Sequence, residues 1–376
     1  MNLDIRATTT WLACVIAIAP LASGCRVYDP ALLDRVDAGG GSACEQRTQP
    51  PTRPDVADGD GPEVAFGLRM VVMEQGNDWP AYGYDLDGFC TEQPDLMSEC
   101  VPPAERNPPV DGAGGVDNVF GFRFFPLVDA TTPDLESEAQ EAQEKGQGLP
   151  IIRLRGWNGE PNDSRVDAAI MQAVFGAPGD ASDEPPSVPA DPASSRPVWD
   201  GRDWFWVRDD AFLMDDLGRP LIRDDNAYVA DGVLVVRLPD RVDIIFPADA
   251  YGVLVRLTGA QATGRISADG TMLEDVRVAG RWSLNDLLVT ARNIGVCEGE
   301  TEYDLLNSQL DRIADVRSTP GSGGPGVVCD AISLGVGFTG TRVRVAGLAE
   351  GPPLADLCAT TSDGGTADAG VPDGGT

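Results

Sequence analysis

The chain has 376 residues, 42% of them hydrophobic, enough for one large domain or two smaller ones with a real core. Its 28 Lys and Arg stand against 60 Asp and Glu, and the resulting net charge of −32 repels phosphate backbones and anionic bilayers. Nucleic acid is therefore a poor partner, and any membrane attachment has to come from a lipid. The chain has no histidine, which excludes a Ser-His-Asp triad, a Cys-His pair and histidine-ligated zinc.

In chain order, Asp4 and Arg6 precede an apolar run, Trp11–Gly24, that falls short of the ~20 residues a membrane-spanning helix needs. The run closes on Leu21-Ala22-Ser23-Gly24-Cys25. Small residues directly before a cysteine resemble the lipobox of a bacterial lipoprotein signal. The resemblance implies that residues 1–24 are a signal peptide, that Cys25 carries lipid (palmitate among its acyl chains), and that the protein is exported. In a Gram-negative cell Arg26, where sorting signals for the inner membrane have Asp, implies an outer-membrane anchor with the domain facing the periplasm or the cell surface. The alternative is an ordinary secretory signal cut near Gly24, with Cys25 a plain cysteine. Residues 25–60, with Asp37-Ala-Gly-Gly-Gly41 and Gln49-Pro-Pro-Thr-Arg-Pro54, read as a flexible tether.

Short alternating or β-branched runs follow: Val64–Met73, Val119–Val128, Ile151–Arg155, Trp204–Val207, Tyr228–Leu238, Arg241–Phe246, Gly252–Leu257, Gly264–Ser267, Leu273–Trp282 and Ile332–Val345. In the last, Gly335, Gly337 and Gly340 suggest bends or close packing. Two segments have helical spacing and a capping start. Ser283–Ile294 opens with Ser283 three before Asp286 and stops at Gly295, and Thr301–Val316 opens with Thr301 three before Asp304. A third, Pro133–Gly146, reads as an exposed helix or a loop. Residues 178–197 form a polar interruption, and 361–376 an acidic, Gly-rich tail expected to be disordered. The pattern predicts a mainly β protein: one antiparallel β-sandwich, jelly-roll or lectin-like, over residues 61–360, with two short helices inserted at 283–316. With its Asp/Ala/Gly-rich linkers and tail, the whole resembles the large lipoproteins of GC-rich Gram-negative bacteria such as myxobacteria. That resemblance implies a location and no mechanism.

There are eight cysteines. With Cys14 in the signal and Cys25 lipidated, Cys44, Cys90, Cys100, Cys297, Cys329 and Cys358 remain, an even set that argues for disulfides in an exported chain. Chain proximity favours Cys90–Cys100 and Cys297–Cys329, which leaves Cys44–Cys358.

Two loops offer hard oxygen ligands. Gly83-Tyr84-Asp85-Leu86-Asp87-Gly88-Phe89-Cys90 spaces two aspartates in a turn, and Asp111-Gly-Ala-Gly-Gly-Val-Asp117-Asn118 adds two more side chains. They resemble pieces of the calcium loops of extracellular modules such as thrombospondin type 3 repeats. The resemblance implies a structural Ca2+ held by Asp85, Asp87, Asp117 and Asn118; the plainer reading is Asp/Gly turns capping strand ends. Trp204 and Trp206, with Trp157 in a polar loop, have the composition of a glycan-binding face, although strand alternation puts at least one side of 204–207 into a core. No catalytic residue stands out. A carboxylate pair for glycan hydrolysis is available, but no spacing singles it out. Gly321–Gly326 lacks the lysine of a phosphate loop. The sequence thus points to a cell-envelope lipoprotein that binds a ligand, glycan or an envelope protein, or serves a structural role. A carboxylate-dependent glycan hydrolase is the alternative.

Overall fold

In the computed structural model, residues 47–358 are described apart from 94–95, 131–132, 180–183, 188–194, 249–250 and 355. All belong to the compact unit Ser42–Thr376. The signal segment, Cys14, Cys25, Arg26, Cys44 and the tail 361–376 lie outside the described residues.

The sheet has ten strands: β1 (Val64–Val72), β2 (Pro150–Arg155), β3 (Asp163–Ala177), β4 (Trp204–Arg208), β5 (Arg223–Ala230), β6 (Val233–Arg237), β7 (Arg241–Ala248), β8 (Tyr251–Ile266), β9 (Met272–Ser283) and β10 (Ala331–Ala349). Following the pairings from β1 through β2, β3, β5, β6, β8, β9 and β10 leads back to β1, with every step antiparallel. The architecture is therefore a closed barrel of eight strands and not the predicted sandwich. Closure depends on three long strands. β3, β8 and β10 run 15, 16 and 19 residues. Their ladders shift register, as between Phe338 and Gly340 and between Val166 and Ala168, and such irregularities bend a strand from one set of partners to the next.

The register fixes what the barrel encloses. Phe66 pairs with Ile152 and Ile152 with Ile170; across the barrel Ala262 pairs with Val278 and Val278 with Val336. These side chains share one buried cluster with Val229 and Leu234, so the interior is a filled core. The opposite face of β1, β2 and β3 has a second core. β4 pairs antiparallel with β3 and parallel with β10. It closes a smaller ring that buries Ala65, Ile151, Met171 and Val343 against Phe205 and Val207. Cover on both faces explains why successive residues of β2, Ile151 and Ile152, are both buried, one in each core.

Several local expectations change. Val119–Val128 is not a strand but a π-helical turn, Phe120–Phe124, running into helix α1 (Phe125–Asp129). Its aromatics fit a helical period: Phe120, Phe124 and Phe125 are buried near Trp282, while half-exposed Phe122 stacks on Trp79 at 4.9 Å. Tyr228–Leu238 divides into β5 and β6 at Asp231-Gly232, where both residues take positive φ (50° and 79°), as a two-residue hairpin turn requires. The runs at 252–257 and 264–267 belong to the single strand β8. β3 was not anticipated; its Ala-rich stretch is buried on both faces and so does not alternate.

Helix α2 (Leu135–Glu144) lies within the Pro133–Gly146 segment. α3 (Leu284–Asn293) is capped as expected: the Ser283 hydroxyl accepts the Asp286 N–H at 3.0 Å, and Gly295 follows with φ +96°. α4 (Thr301–Ile313) has Glu300 at its N-cap, so Thr301 is its first helical residue and does not cap it.

The disulfides join Cys100 to Cys329 and Cys297 to Cys358, and Cys90 is disulfide-bonded as well. Chain proximity misled here. A parallel bridge between Val101 and Val328 lays their neighbouring cysteines side by side across the fold. Residues 47–60, read as part of a tether, are strapped to the barrel. Arg53 donates to the Ser164 carbonyl at 2.8 Å, Tyr228 donates to Pro51 at 2.7 Å, and Gly59 donates to Asp163 at 3.2 Å. No helix among the described residues is long and apolar enough to cross a membrane.

Candidate metal centre

β1 ends at the Val72–Gly337 pair, and the Val316–Ala331 bridge covers only the start of β10, which leaves its 332–335 edge without a strand partner. Side chains from the covering loops take its place. Asp315 accepts the Ser333 N–H at 2.7 Å, Asn118 accepts the Gly335 N–H at 2.9 Å, and Gln75 donates to the Gly335 carbonyl at 2.8 Å. Gly335 admits this layer because it has no side chain; a Cβ there would lie 2.5 Å from the Tyr82 carbonyl oxygen. Tyr82, Tyr84 and Asn118 are thereby held over the outer face of β8 and β10, with the Tyr84 hydroxyl on Thr263 at 2.7 Å.

Within this layer the two acidic loops meet. Tyr84 and Asp117 form an antiparallel bridge. Asp117 accepts the backbone N–H of Leu86 at 2.7 Å and of Asp87 at 3.2 Å. Asp85 accepts Gly88 N–H at 2.7 Å, and Asp87 accepts Phe89 N–H at 2.7 Å and Glu99 N–H at 3.2 Å. Asp85 and Asp117 are each 3% exposed. Asp85, Asp87 and Asp117 bring one oxygen each within 4.8 Å of the others, an arrangement that could hold a metal ion. Oxygens around a Ca2+ sit at about 2.3–2.6 Å from it, so two on opposite sides are about 5 Å apart and the spacing fits. An all-carboxylate set suits a hard divalent cation better than zinc or copper.

Asn118 takes no part in this group. Its amide donates to Gln75 at 2.7 Å and to the Trp79 carbonyl at 2.9 Å, and its oxygen accepts from Gly121 and Gly335. It pegs the loop to β10. Asp111, Asp315, Glu99, Arg281 and Arg47, which sequence reasoning did not assign, complete the surroundings. Arg47 pairs with Asp85. Arg281, fully buried, reaches Glu99 at 2.8 Å and the Leu86 carbonyl at 2.5 Å.

Burial raises Asp87 to about 6, Asp315 to about 7 and Asp111 to about 8, and holds Asp117 well above the ordinary carboxylate range. The neighbouring carboxylates push the same way, while hydrogen-bond donors pull these groups back down. A divalent cation would relieve both the desolvation and the mutual repulsion. Comparison with protein-family models, curated proteins and solved structures finds no match.

The tryptophans do not form one face. Trp157 is 8% exposed, belongs to the barrel core and donates its indole N–H to the Glu160 carbonyl at 3.0 Å. Trp204 and Trp206 share a separate cluster with Ala177, against which Phe175 packs; Phe205 turns to the other side, as alternation requires.

Proposed function

We propose that this chain is an exported cell-envelope protein, lipid-anchored at Cys25, whose disulfide-stapled barrel is a Ca2+-stabilised ligand-binding or structural module. The convergence of Asp85, Asp87 and Asp117 under a loop layer pinned to β10 carries the calcium half of this reading. The Leu21–Cys25 pattern supports the anchor. Because the barrel interior is filled, a ligand has to be taken up on the outer surface. Calorimetric melting in calcium, in magnesium and in excess chelator tests the first half. A rise of several degrees with calcium is expected, and an unchanged melting temperature removes the metal. Incorporation of labelled palmitate by the parent and by Cys25→Ser tests the anchor: label retained by the variant, or absent from both, overturns it.

A further inference from the structure

Where β1 begins and β10 passes from β1 to the start of β4, the surface holds a cleft of about 440 Å3, bordered by Glu63, Asp200, Trp204, Thr271, Arg342 and Arg344. That volume lies in the lower part of the range of about 300–1,000 Å3 typical of small-molecule sites. Both rim carboxylates already have cations. Arg155 reaches Glu63 at 2.7 Å, and Arg202 reaches Asp200 at 2.7 Å through the same carboxylate that accepts its backbone N–H. Arg344 lies over the Trp204 ring, 5.2 Å from its centroid.

Arg342 differs from these. Its backbone is fixed by an N–H bond to the Thr271 carbonyl at 2.9 Å. The side chain is half-buried in the cleft wall, and among the described residues its guanidinium has no carboxylate, carbonyl or ring partner. A guanidinium is a planar fork of donors shaped for a carboxylate, and here that fork is half-buried at the cleft wall with solvent access to its donors. The chain's charge of −32 does not forbid an anion here. Screening limits each distant charge to about 8 Å at physiological ionic strength, so the groups lining the cleft, among them Arg342, set the local field.

We propose that this cleft binds a small carboxylate-bearing molecule, the carboxylate forked by Arg342 and the remainder lying between Arg344 and the wall at Trp204 and Thr271. The carboxylate can belong to an acidic sugar or to a simple organic acid. This deepens the binding-module half of the reading above and is independent of the calcium half.

The test titrates the full chain with D-glucuronate, acetate and D-glucose, followed by calorimetry. Saturable glucuronate binding, none for glucose, and at least tenfold weakening in Arg342→Ala are expected, with Arg342→Lys intermediate. Acetate as tight as glucuronate would identify the simple acid; much weaker acetate would identify the sugar. A cooperative melting transition and a far-UV circular dichroism spectrum like the parent's show that the variants fold, and Arg342→Gln replaces Arg342→Ala should the latter not fold. Absence of saturation by either acid at 50 mM, or equal affinity in the parent and a folded Arg342 variant, overturns the assignment.

Discussion

Arg281 and Glu99 form an ion pair at 2.8 Å in which the two side chains are only 2% and 3% exposed. The same guanidinium donates to the carbonyls of Arg317 at 2.7 Å and Leu86 at 2.5 Å. One strand residue thus ties the acidic loop, the 311–331 connection and β9 together. Removing one partner strands a buried charge, at a cost of about 3–5 kcal/mol, whereas an apolar pair of similar volume avoids that penalty. Urea unfolding should show Arg281→Met and Glu99→Leu each strongly destabilised, with the double variant losing less than the sum of the two. Strict additivity would mean the pair is not coupled.

The pH dependence should run opposite to ordinary acid denaturation. Burial holds Asp87, Asp315 and Asp111 at about 6, 7 and 8 in the fold, against an ordinary aspartate value of 3.8. Between about pH 4 and pH 8 the folded chain therefore binds more protons than the unfolded one, and stability falls as pH rises. In chelator, the melting temperature should drop from pH 5 to pH 8. With calcium, which binds the deprotonated carboxylates, the drop should shrink or vanish. A chelated melting temperature that rises across this window would contradict the buried cluster.

Asp117→Asn separates the ion from the scaffold. The substitution keeps an oxygen for the Leu86 and Asp87 N–H groups and removes a charge that burial disfavours. At pH 8 in chelator the variant should melt above the parent. With calcium the order should reverse, because saturating a site one hundredfold above its Kd adds about 2.7 kcal/mol to the parent alone. A variant that melts lower in both conditions would assign Asp117 a purely structural role.

The features that could be read from sequence are those written in adjacent residues. The Ser283 cap and the Gly295 stop of α3 depend on a few side chains within one turn. Asp85 and Asp87 announce a turn that presents oxygens, and the need for close packing at Gly335 and Gly337 follows from what they lack. Barrel closure rests instead on β3 meeting β5 and β10 meeting β1, pairings between distant segments for which no single strand carries a mark. β3 hides for the same reason, since cover on both faces erases its alternation. In the site, Asp315 and Arg281 reach the acidic loops only because β9 and β10 lie beneath them. Asn118 looked like a ligand because its competing partners, Gln75 and Gly335, are far away in the chain.

The Cys100–Cys329 link closes the longest covalent loop among the described residues, spanning a sequence separation of 229. It sits beside the Val101–Val328 bridge, next to a core of Ala314 and Leu284, and so staples the acidic loop to the stretch leading into β10. A cross-link over so long a loop restricts the unfolded chain substantially, and losing it should cost about 2–4 kcal/mol. Cys100→Ala/Cys329→Ala should lose that stability in urea and also weaken the calcium response, because the loop carrying Asp85 and Asp87 leads directly to Cys100. Cys297→Ala/Cys358→Ala, which frees a link of separation 61 next to α3, should lose less and leave the calcium response intact. Peptide mapping without reduction should recover Cys100 joined to Cys329. A Cys90–Cys100 peptide would break this arrangement and with it the predicted coupling between disulfide and metal.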